Sequence, residues 1–343
     1  MKQLIEIKNS GSKTLKIQYE LSNICNYKCW YCFPGCNDGD SPWPELDIVK
    51  KNLSRIIEFY FENGIDSIQL NYLGGEPTLW KHLGELTQYL CENTKFDRKK
   101  KKLNITVQTN GSRTVRWWKE YGHYFSMVSI SVHHERVDLD HVQKVAEILL
   151  DKNVLVITTV LMDRNAWDKC RSMIDKLTST KKKFTVMAKP INIDGVVDYD
   201  EEQLKYLKTT RKRLPSLKHI IKYLIEFAML PTYTAIFDDG TKEKTRTDQY
   251  FILRKLNKFL GWKCTIGINW ISINRKGEIT GTCKAKLYGI DNYFNINDPD
   301  LPEKFNPVLQ PVICERNICS CAGEAVLTKW KEAPKKIIPI YEN

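Results

Sequence analysis

Three cysteines near the start of the chain have the spacing of ligands that share one inorganic centre. In CNYKCWYC, which begins at residue 25, Cys25, Cys29 and Cys32 are separated by three and then two residues, and Cys36 follows in FPGC. Thiolate ligands must converge on a common point, and short spacings within a loop allow this for an iron-sulfur cluster or for zinc. Three ligands on a four-iron cluster leave one iron open, where a small molecule can bind and react. The alternative is a structural zinc with Cys36 as the fourth ligand.

The elements around this loop are predicted from apolar runs that alternate with helical patterns. Strands are predicted at 15–21, 67–73, 103–109, 128–133, 154–161 and 184–188, and helices at 47–63, 79–92, 114–121, 139–151 and 167–178. Successive strands joined by crossover helices form a parallel sheet. The predicted fold class is therefore α/β, a partial (β/α)6 barrel similar to a TIM barrel. Its chemistry is expected at the carboxyl ends of the strands.

The rest of the chain is predicted to form two further regions. Residues 1–197 are assigned to the barrel, 198–258 to a helical connecting region with an exposed linker at 238–249, and 259–343 to a small hairpin-plus-helix domain. Alternating apolar and polar residues on both sides of NRKG predict a hairpin with its turn at 274–277. We expect this hairpin to bring the thiols of Cys264 and Cys283, which flank it, near each other across its base.

The cysteine loop resembles the signature of the radical S-adenosylmethionine (SAM) enzymes, and further motifs extend the resemblance over residues 15–190. LGGEP follows the second predicted strand as that family's GGE motif does, TNG follows the third, and SVHHE closes the fourth. The resemblance implies a [4Fe-4S] cluster on Cys25, Cys29 and Cys32, with SAM on the open iron. It also implies SAM-binding residues along the strand ends, namely Tyr31, Gly74, Gly75, Glu76, Pro77, Thr109, Asn110 and Ser131.

Two histidines are candidates for a catalytic role. His133 and His134 follow the fourth predicted strand, and neighbouring side chains on a strand point to opposite faces. At most one of the two is therefore expected to face the cavity. Histidine titrates near neutral pH and could act as an acid or base, and a structural hydrogen bond is the alternative. The family more often has an acidic residue near this point.

The C-terminal cysteines resemble those of the SPASM and twitch extensions of radical SAM enzymes. The set comprises Cys264 and Cys283 together with Cys314, Cys319 and Cys321 in ICERNICSCAGE. Five cysteines suffice for one auxiliary iron-sulfur cluster, which the resemblance implies to be a [4Fe-4S] cluster. The usual seven-cysteine SPASM arrangement is not matched, so the domain is described as twitch-like. A structural zinc held by four of the five cysteines is the alternative.

The resemblance implies reductive cleavage of SAM to a 5′-deoxyadenosyl radical that abstracts hydrogen. The expected substrate is a peptide or protein side chain that is oxidised or crosslinked, as in an oxidoreductase. With the first cysteine at residue 25, no winged-helix peptide-recognition domain is expected ahead of it. The alternative substrate is a small molecule such as a sugar, nucleotide or amino sugar. A non-catalytic iron-sulfur or zinc protein is the alternative of another class. A one-electron donor such as flavodoxin or ferredoxin is the expected redox partner.

Composition limits the remaining possibilities. The 343 residues include 11 cysteines, and they lack both a secretory signal pattern and an apolar stretch long enough to cross a membrane. We therefore expect a cytoplasmic protein with no membrane partner and with thiols that bind metal rather than form disulfides. The formal charge of +12 comes largely from short surface runs such as RKKKK at 98–102. Since no nucleic-acid-binding signature accompanies these runs, no nucleic-acid partner is expected.

Overall fold

The computed structural model describes most of the chain. The described residues are 2–10, 13–32, 35–93, 101–182, 184–191, 198–209, 232–245, 250–251, 254–280, 294–315, 317–319 and 324–331. Two sheets organise them, one of eight strands and one of six.

The eight-stranded sheet contains the predicted barrel strands. These are β2 (Thr14–Glu20), β3 (Ser67–Leu73), β4 (Lys102–Thr109), β5 (Met127–Val132), β6 (Leu155–Met162) and β7 (Thr185–Pro190), which pair in chain order and all in parallel. The helices between them are α1 (Leu46–Glu62), α2 (Leu83–Glu92), α3 (Val115–Tyr121), α4 (Leu139–Asp151) and α5 (Trp167–Thr178). The predicted α/β class with a parallel sheet is confirmed, and the sheet has two further strands beyond β2 and does not close into a barrel, because β7 is its other edge.

On most of the parallel strands, fully buried residues alternate with residues of intermediate exposure. On β2, Leu15, Ile17 and Tyr19 are buried, whereas the residues between them are intermediate in exposure. The same alternation runs through β3 and β5. The buried side chains form one apolar core with the amphipathic helices, which cover the outer face of the sheet. The inner, concave face carries the residues of intermediate exposure.

The hairpin predicted around NRKG is present, and it extends the barrel sheet. Its strands are β11 (Trp270–Ile273) and β12 (Ile279–Thr280), joined by a turn at 274–277. Strand β11 lies parallel to β2, with Trp270 opposite Lys16. The C-terminal part of the chain thus contributes a further parallel strand to the wall of the barrel. The division of the chain at residue 259 stays a prediction.

The six-stranded sheet was not predicted. Its order is β13-β10-β14-β1-β8-β9, formed by β1 (Leu4–Asn9), β8 (Tyr233–Phe237), β9 (Lys242–Thr245), β10 (Lys263–Cys264), β13 (Val312–Ile313) and β14 (Lys329–Trp330). Part of the stretch predicted to be an exposed linker is thus a hairpin, because β8 pairs with β9. Cys264 lies in this sheet, opposite Val312 and Lys329. The sequence pattern instead predicts a position at the base of the β11–β12 hairpin.

Two short helices complete the described elements, α6 (Glu201–Thr209) in the predicted helical region and α7 (Leu301–Lys304). The second helix predicted there, LKHIIKYLIEFAML, lies outside the described residues. Buried Asn52 on α1 donates hydrogen bonds of 2.7 Å to the carbonyls of Ile296 and Asp298, which fastens the α7 segment to the barrel. Within the described ranges, no helix combines the length and apolar character needed to cross a membrane.

Candidate functional site

The cysteine loop leaves β2 and lies at the carboxyl end of the barrel. Cys29 is buried, whereas Cys25 and Cys32 are partly exposed. A turn closes between the N–H of Cys32 and the carbonyl of Cys29 at 3.1 Å, and the N–H of Tyr27 donates to the sulfur of Cys25 at 3.3 Å. Burial, together with nearby Glu135, Cys25 and Cys32, raises the pKa of Cys29 to about 11. The three thiols therefore lie close enough to influence one another's ionisation, although no three potential metal ligands among the described residues converge on one point.

Cys36 lies in different surroundings from the other three loop cysteines. Burial raises its pKa, and the charged groups that affect it are Glu20, Arg275 and Asp38 rather than the other thiols. Arg275, from the hairpin turn, donates to the carbonyl of Gly35 at 2.9 Å. This placement favours three cysteine ligands over a four-cysteine zinc site.

The glycines of LGGEP lie directly against the cysteine loop. Gly75 N–H donates to the carbonyl of Ser22, and Glu76 N–H donates to that of Ile24, both at 2.8 Å. A Cβ on Gly74 would lie 2.2 Å from the Ser22 carbonyl oxygen, and one on Gly75 would lie 2.3 Å from that of Ile24. Gly74 also has a φ of +132°, which side-chain-bearing residues rarely adopt. The two glycines are needed for close approach of two backbones.

Replacing Gly75 by alanine is expected to push the two loops apart. Because the obstructing atoms are backbone atoms, we expect a loss of about 1–3 kcal/mol of unfolding free energy and poor retention of iron after anaerobic reconstitution. Iron and sulfide analysis with a denaturant titration measures both. Gly39→Ala is the control: Gly39 lies in the same loop with a φ of +82° and open space around it, so this variant carries backbone strain without the clash, and its iron content is expected to stay that of the wild type. Full iron content in Gly75→Ala would show that the close approach is dispensable.

Glu76 is a fully buried carboxylate that joins the ends of two strands. Its Oε1 accepts hydrogen bonds from the N–H of Thr78 at 3.0 Å and from the hydroxyls of Thr78 and Thr109 at 2.6 and 2.7 Å, and its Oε2 accepts from the N–H of Asn110 at 2.5 Å. Burial raises the pKa of Glu76, and these donors oppose the rise. Pro77 follows as the first residue of a short 3-10 helix. Glu76 thus links the end of β3 to the end of β4 through four hydrogen bonds.

Asn110 extends this support to the cysteine loop. Its side-chain amide donates to Oδ1 of Asn26 at 2.8 Å, and the amide of Asn26 donates to the hydroxyl of Ser112 at 3.0 Å. GGEP, TNG and the cysteine loop thus form one connected network at the strand ends.

His133 lies against the cysteine loop. Its Nδ1 is 3.3 Å from the sulfur of Cys29 and 3.1 Å from the hydroxyl of Tyr31, and its ring stacks on Tyr31 with centroids 5.8 Å apart. Burial, together with His134, lowers the pKa of His133 to about 4. His133 is therefore neutral at physiological pH and borders the cysteines.

His134 contacts a carboxylate that sequence reasoning missed. Its Nε2 lies 3.7 Å from Oδ2 of buried Asp163, which also accepts a hydrogen bond of 3.2 Å from the indole of Trp30. Asp163 follows β6, and a polar residue at that strand end was the signal available in the sequence. His133 thus contacts the cysteine loop directly, and His134 is linked to it through Asp163. That at most one of the two faces the cavity stays a prediction. Ser131 lies on the half-exposed face of β5, one residue before the strand ends.

Of the five C-terminal cysteines, the structure describes Cys264, Cys314 and Cys319. Cys264 and Cys319 are buried, and Cys314 and Cys319 pack beside the apolar cluster that contains Phe259. Burial raises the pKa of Cys264. The ammonium of buried Lys329 lowers this pKa, and nearby Cys314 raises it. Cys264 and Cys314 are thus brought together, while Cys283 and Cys321 lie outside the described residues.

Comparison with known proteins agrees with this geometry. Residues 19–177 match the family model of the radical SAM superfamily. This part of the chain is a radical SAM domain. It begins in β2 and ends in α5, so it contains the cysteine loop, GGEP, TNG and both histidines.

Among curated relatives, the chain is 31% identical over 121 residues to the S-adenosylmethionine-dependent nucleotide dehydratase of Fibrobacter sp. (strain UWH6), covering 35% of this chain and 34% of the relative. It is 23% identical over 119 residues to the GTP 3′,8-cyclase of Vibrio cholerae strain O395, covering 34% and 33%. The chain thus spans about a third of the length of these relatives.

The similarity to known structures covers more of the chain than the sequence similarity does. A structure of native anSMEcpe with bound AdoMet and the Kp18Cys peptide covers 86% of this chain and 81% of its own, with a TM-score of 0.50 and 15% identity. At this identity the likeness concerns the fold.

Proposed function

We propose that the protein cleaves SAM reductively at a [4Fe-4S] cluster held by Cys25, Cys29 and Cys32 and uses the product to take a hydrogen atom from its substrate. The observation that carries this proposal is the docking of GGEP onto the cysteine loop through two backbone hydrogen bonds, inside a radical SAM domain. A plain strand-to-helix turn has no need of two glycines packed against the backbone of a cysteine loop.

The donor set fits the group that the family implies. Three cysteine ligands suit a cluster with one open iron. The fourth cysteine of the loop, Cys36, lies near Glu20 and Arg275 instead. When bound, the cluster and SAM supply a 5′-deoxyadenosyl radical that can abstract hydrogen. The chain's own residues hold the loop in place and exclude water: Glu76 and Asn110 support it from below, and Tyr31 and His133 border it.

SAM itself is proposed to bind along the same strand ends. Its methionine end would lie near Gly74, Gly75, Glu76 and Pro77, and its adenosine near Tyr31, Thr109, Asn110 and Ser131. Since Glu76 already accepts four hydrogen bonds, we assign it to positioning the loop, and backbone carbonyls around Gly75 are the proposed acceptors for the ammonium of SAM. His133 and His134 remain candidates for contacts to SAM or substrate.

The C-terminal cysteines are proposed to hold an auxiliary cluster in a twitch-like domain. The proximity of Cys264 and Cys314 supports this, as does the buried ammonium of Lys329, which would offset thiolate charge. An auxiliary cluster could accept the second electron of an oxidation, which is why an oxidoreductase is proposed.

Two substrate classes have support. A peptide or protein side chain, expected from the sequence, is supported by the fold shared with anSMEcpe, whose structure contains a peptide. A small molecule is supported by the two nucleotide enzymes among the relatives and by the polar lining of the barrel.

The deciding experiment mixes anaerobically reconstituted, reduced protein with SAM and measures 5′-deoxyadenosine by chromatography. Dithionite, or flavodoxin with its reductase, supplies the electron. Formation of 5′-deoxyadenosine together with methionine is expected. Protein that carries iron and sulfide but yields neither product would refute the proposed function and favour a non-catalytic iron-sulfur protein.

A further inference from the structure

The concave face of the barrel sheet is lined by polar side chains. On β2, β3, β4 and β5 the residues that alternate with the buried core are largely amides and hydroxyls; six of them are Gln18, Gln69, Asn104, Gln108, Ser129 and Ser131. Parallel sheets covered on both faces carry apolar residues on both. This face is instead half-exposed and able to form hydrogen bonds, and none of the six side chains has a hydrogen-bond partner among the described residues.

Lys16 lies at the floor of this concave face. It is the third residue of β2, at the end of the barrel opposite the cysteine loop, and its Nζ lies 5.5 Å from the centre of the Trp270 ring. Burial lowers its pKa, and no carboxylate in the described part of the chain lies within ion-pair distance of it. Glu20, the acidic residue on the same face of β2, is four residues away, which is about 13 Å along a strand. Lys16 is intermediate in exposure, and a partly desolvated ammonium beside an aromatic ring gains from an anion that a ligand supplies.

We infer that the concave face binds a small polar substrate of the nucleotide type, whose phosphate reaches Lys16 while its reacting carbon lies near the cysteine loop. The inference rests on the proposed function and specifies its substrate class.

The depth of the barrel favours a small molecule over a peptide side chain. From the cysteine loop to Lys16, the ligand must span about 13 Å. A glutamate side chain carries its carboxylate only about 5 Å from its Cα, from summed bond lengths, so a peptide lying across the mouth does not reach Lys16. A nucleoside phosphate is long enough, and its base and sugar offer partners for the amides and hydroxyls along the strands.

The test is replacement of Lys16 by methionine, which keeps the stem and removes the charge. Binding of GTP and of CTP to the full, reconstituted chain with SAM present is measured by calorimetry. Loss of one charge-assisted hydrogen bond is expected to weaken binding about 10- to 100-fold. Thermal unfolding without nucleotide is expected to occur at a higher temperature in Lys16→Met, because a partly desolvated ammonium with no carboxylate partner among the described residues is removed. A purely structural lysine would give the opposite shift.

Lys13→Met is the matched control. Lys13 immediately precedes β2 and therefore lies outside the concave face. Its side chain is 73% exposed. It removes the same charge and is expected to leave nucleotide binding unchanged. Gln18→Leu, on the concave face itself, is expected to weaken binding and serves as the second variant if Lys16→Met does not fold.

Three results would overturn the inference: neither nucleotide binds the wild-type chain, binding is equally tight in Lys16→Met, or an acidic peptide binds in a Lys16-dependent manner while nucleotides do not. Formation of 5′-deoxyadenosine by the wild-type protein, measured in parallel, tests the proposed function separately. An enzyme that cleaves SAM but binds no nucleotide would retain the proposed function and lose only this substrate class.

Discussion

Replacement of Cys29 by alanine is expected to reduce SAM cleavage by the reconstituted protein to the background of a protein-free mixture. Cys29 is the buried member of the three loop cysteines, and its sulfur lies 3.3 Å from Nδ1 of His133. Without it, two thiols remain, and a four-iron cluster with two protein ligands is not stably held. The measurement is 5′-deoxyadenosine formed after reduction, together with the iron content of the variant.

The control for this variant is Cys91→Ala. Cys91 lies on α2 and donates to the carbonyl of Tyr124, away from the cysteine loop. Iron content and SAM cleavage are expected to match the wild type. If Cys29→Ala keeps its activity, the cluster has a different ligand set. If wild-type protein binds zinc in this loop under anoxic conditions, the structural zinc alternative is correct.

Replacement of Glu76 by glutamine is expected to cause the largest loss of stability among conservative changes in the domain. One carboxylate oxygen accepts from the N–H of Thr78 and the other from the N–H of Asn110. A glutamine has only one acceptor oxygen, so its amide nitrogen meets a backbone N–H in either orientation. A buried donor left without an acceptor costs about 1–3 kcal/mol, so a decrease of roughly 3 kcal/mol in the free energy of unfolding is expected.

Chemical denaturation of the two proteins at neutral pH measures this difference. Glu85→Gln is the control, because Glu85 is half-exposed and pairs with Lys50 on the surface. Its loss is expected to be under about 1 kcal/mol. Equal stability of Glu76→Gln and wild type would mean that the carboxyl is protonated in the folded protein, since a protonated acid, like an amide, has one carbonyl oxygen and one hydrogen-bearing atom.

Much of the barrel could be predicted from the sequence. The observed strand ends lie within about two residues of the predicted ones, because apolar residues recur inside the strands and turn residues follow them. The alternation in TLKIQYE and SIQLNYL also marks one face as polar, which in a parallel sheet indicates a face without covering helices. The radical SAM domain was recognisable because its motifs lie at strand ends in the expected order.

The second sheet could not be predicted in the same way. Strands β10, β13 and β14 are two residues long, too short for a periodic pattern, and their partners are distant in sequence. The support role of Glu76 depends on Thr109 and Asn110, which lie more than thirty residues away. Spacing within a motif reveals shared ligands, whereas hydrogen bonds between motifs become visible only when the strands are paired.

The pairing of β2 with β11 has a consequence during synthesis. The outer edge of β2 is covered only when Trp270–Ile273 pairs with it. Until then, while some 250 residues are translated, the nascent chain exposes free backbone N–H and C=O groups along this edge. Such a long separation slows folding and favours unwanted strand association. Chaperone assistance and low temperature are therefore expected to improve the yield of folded protein.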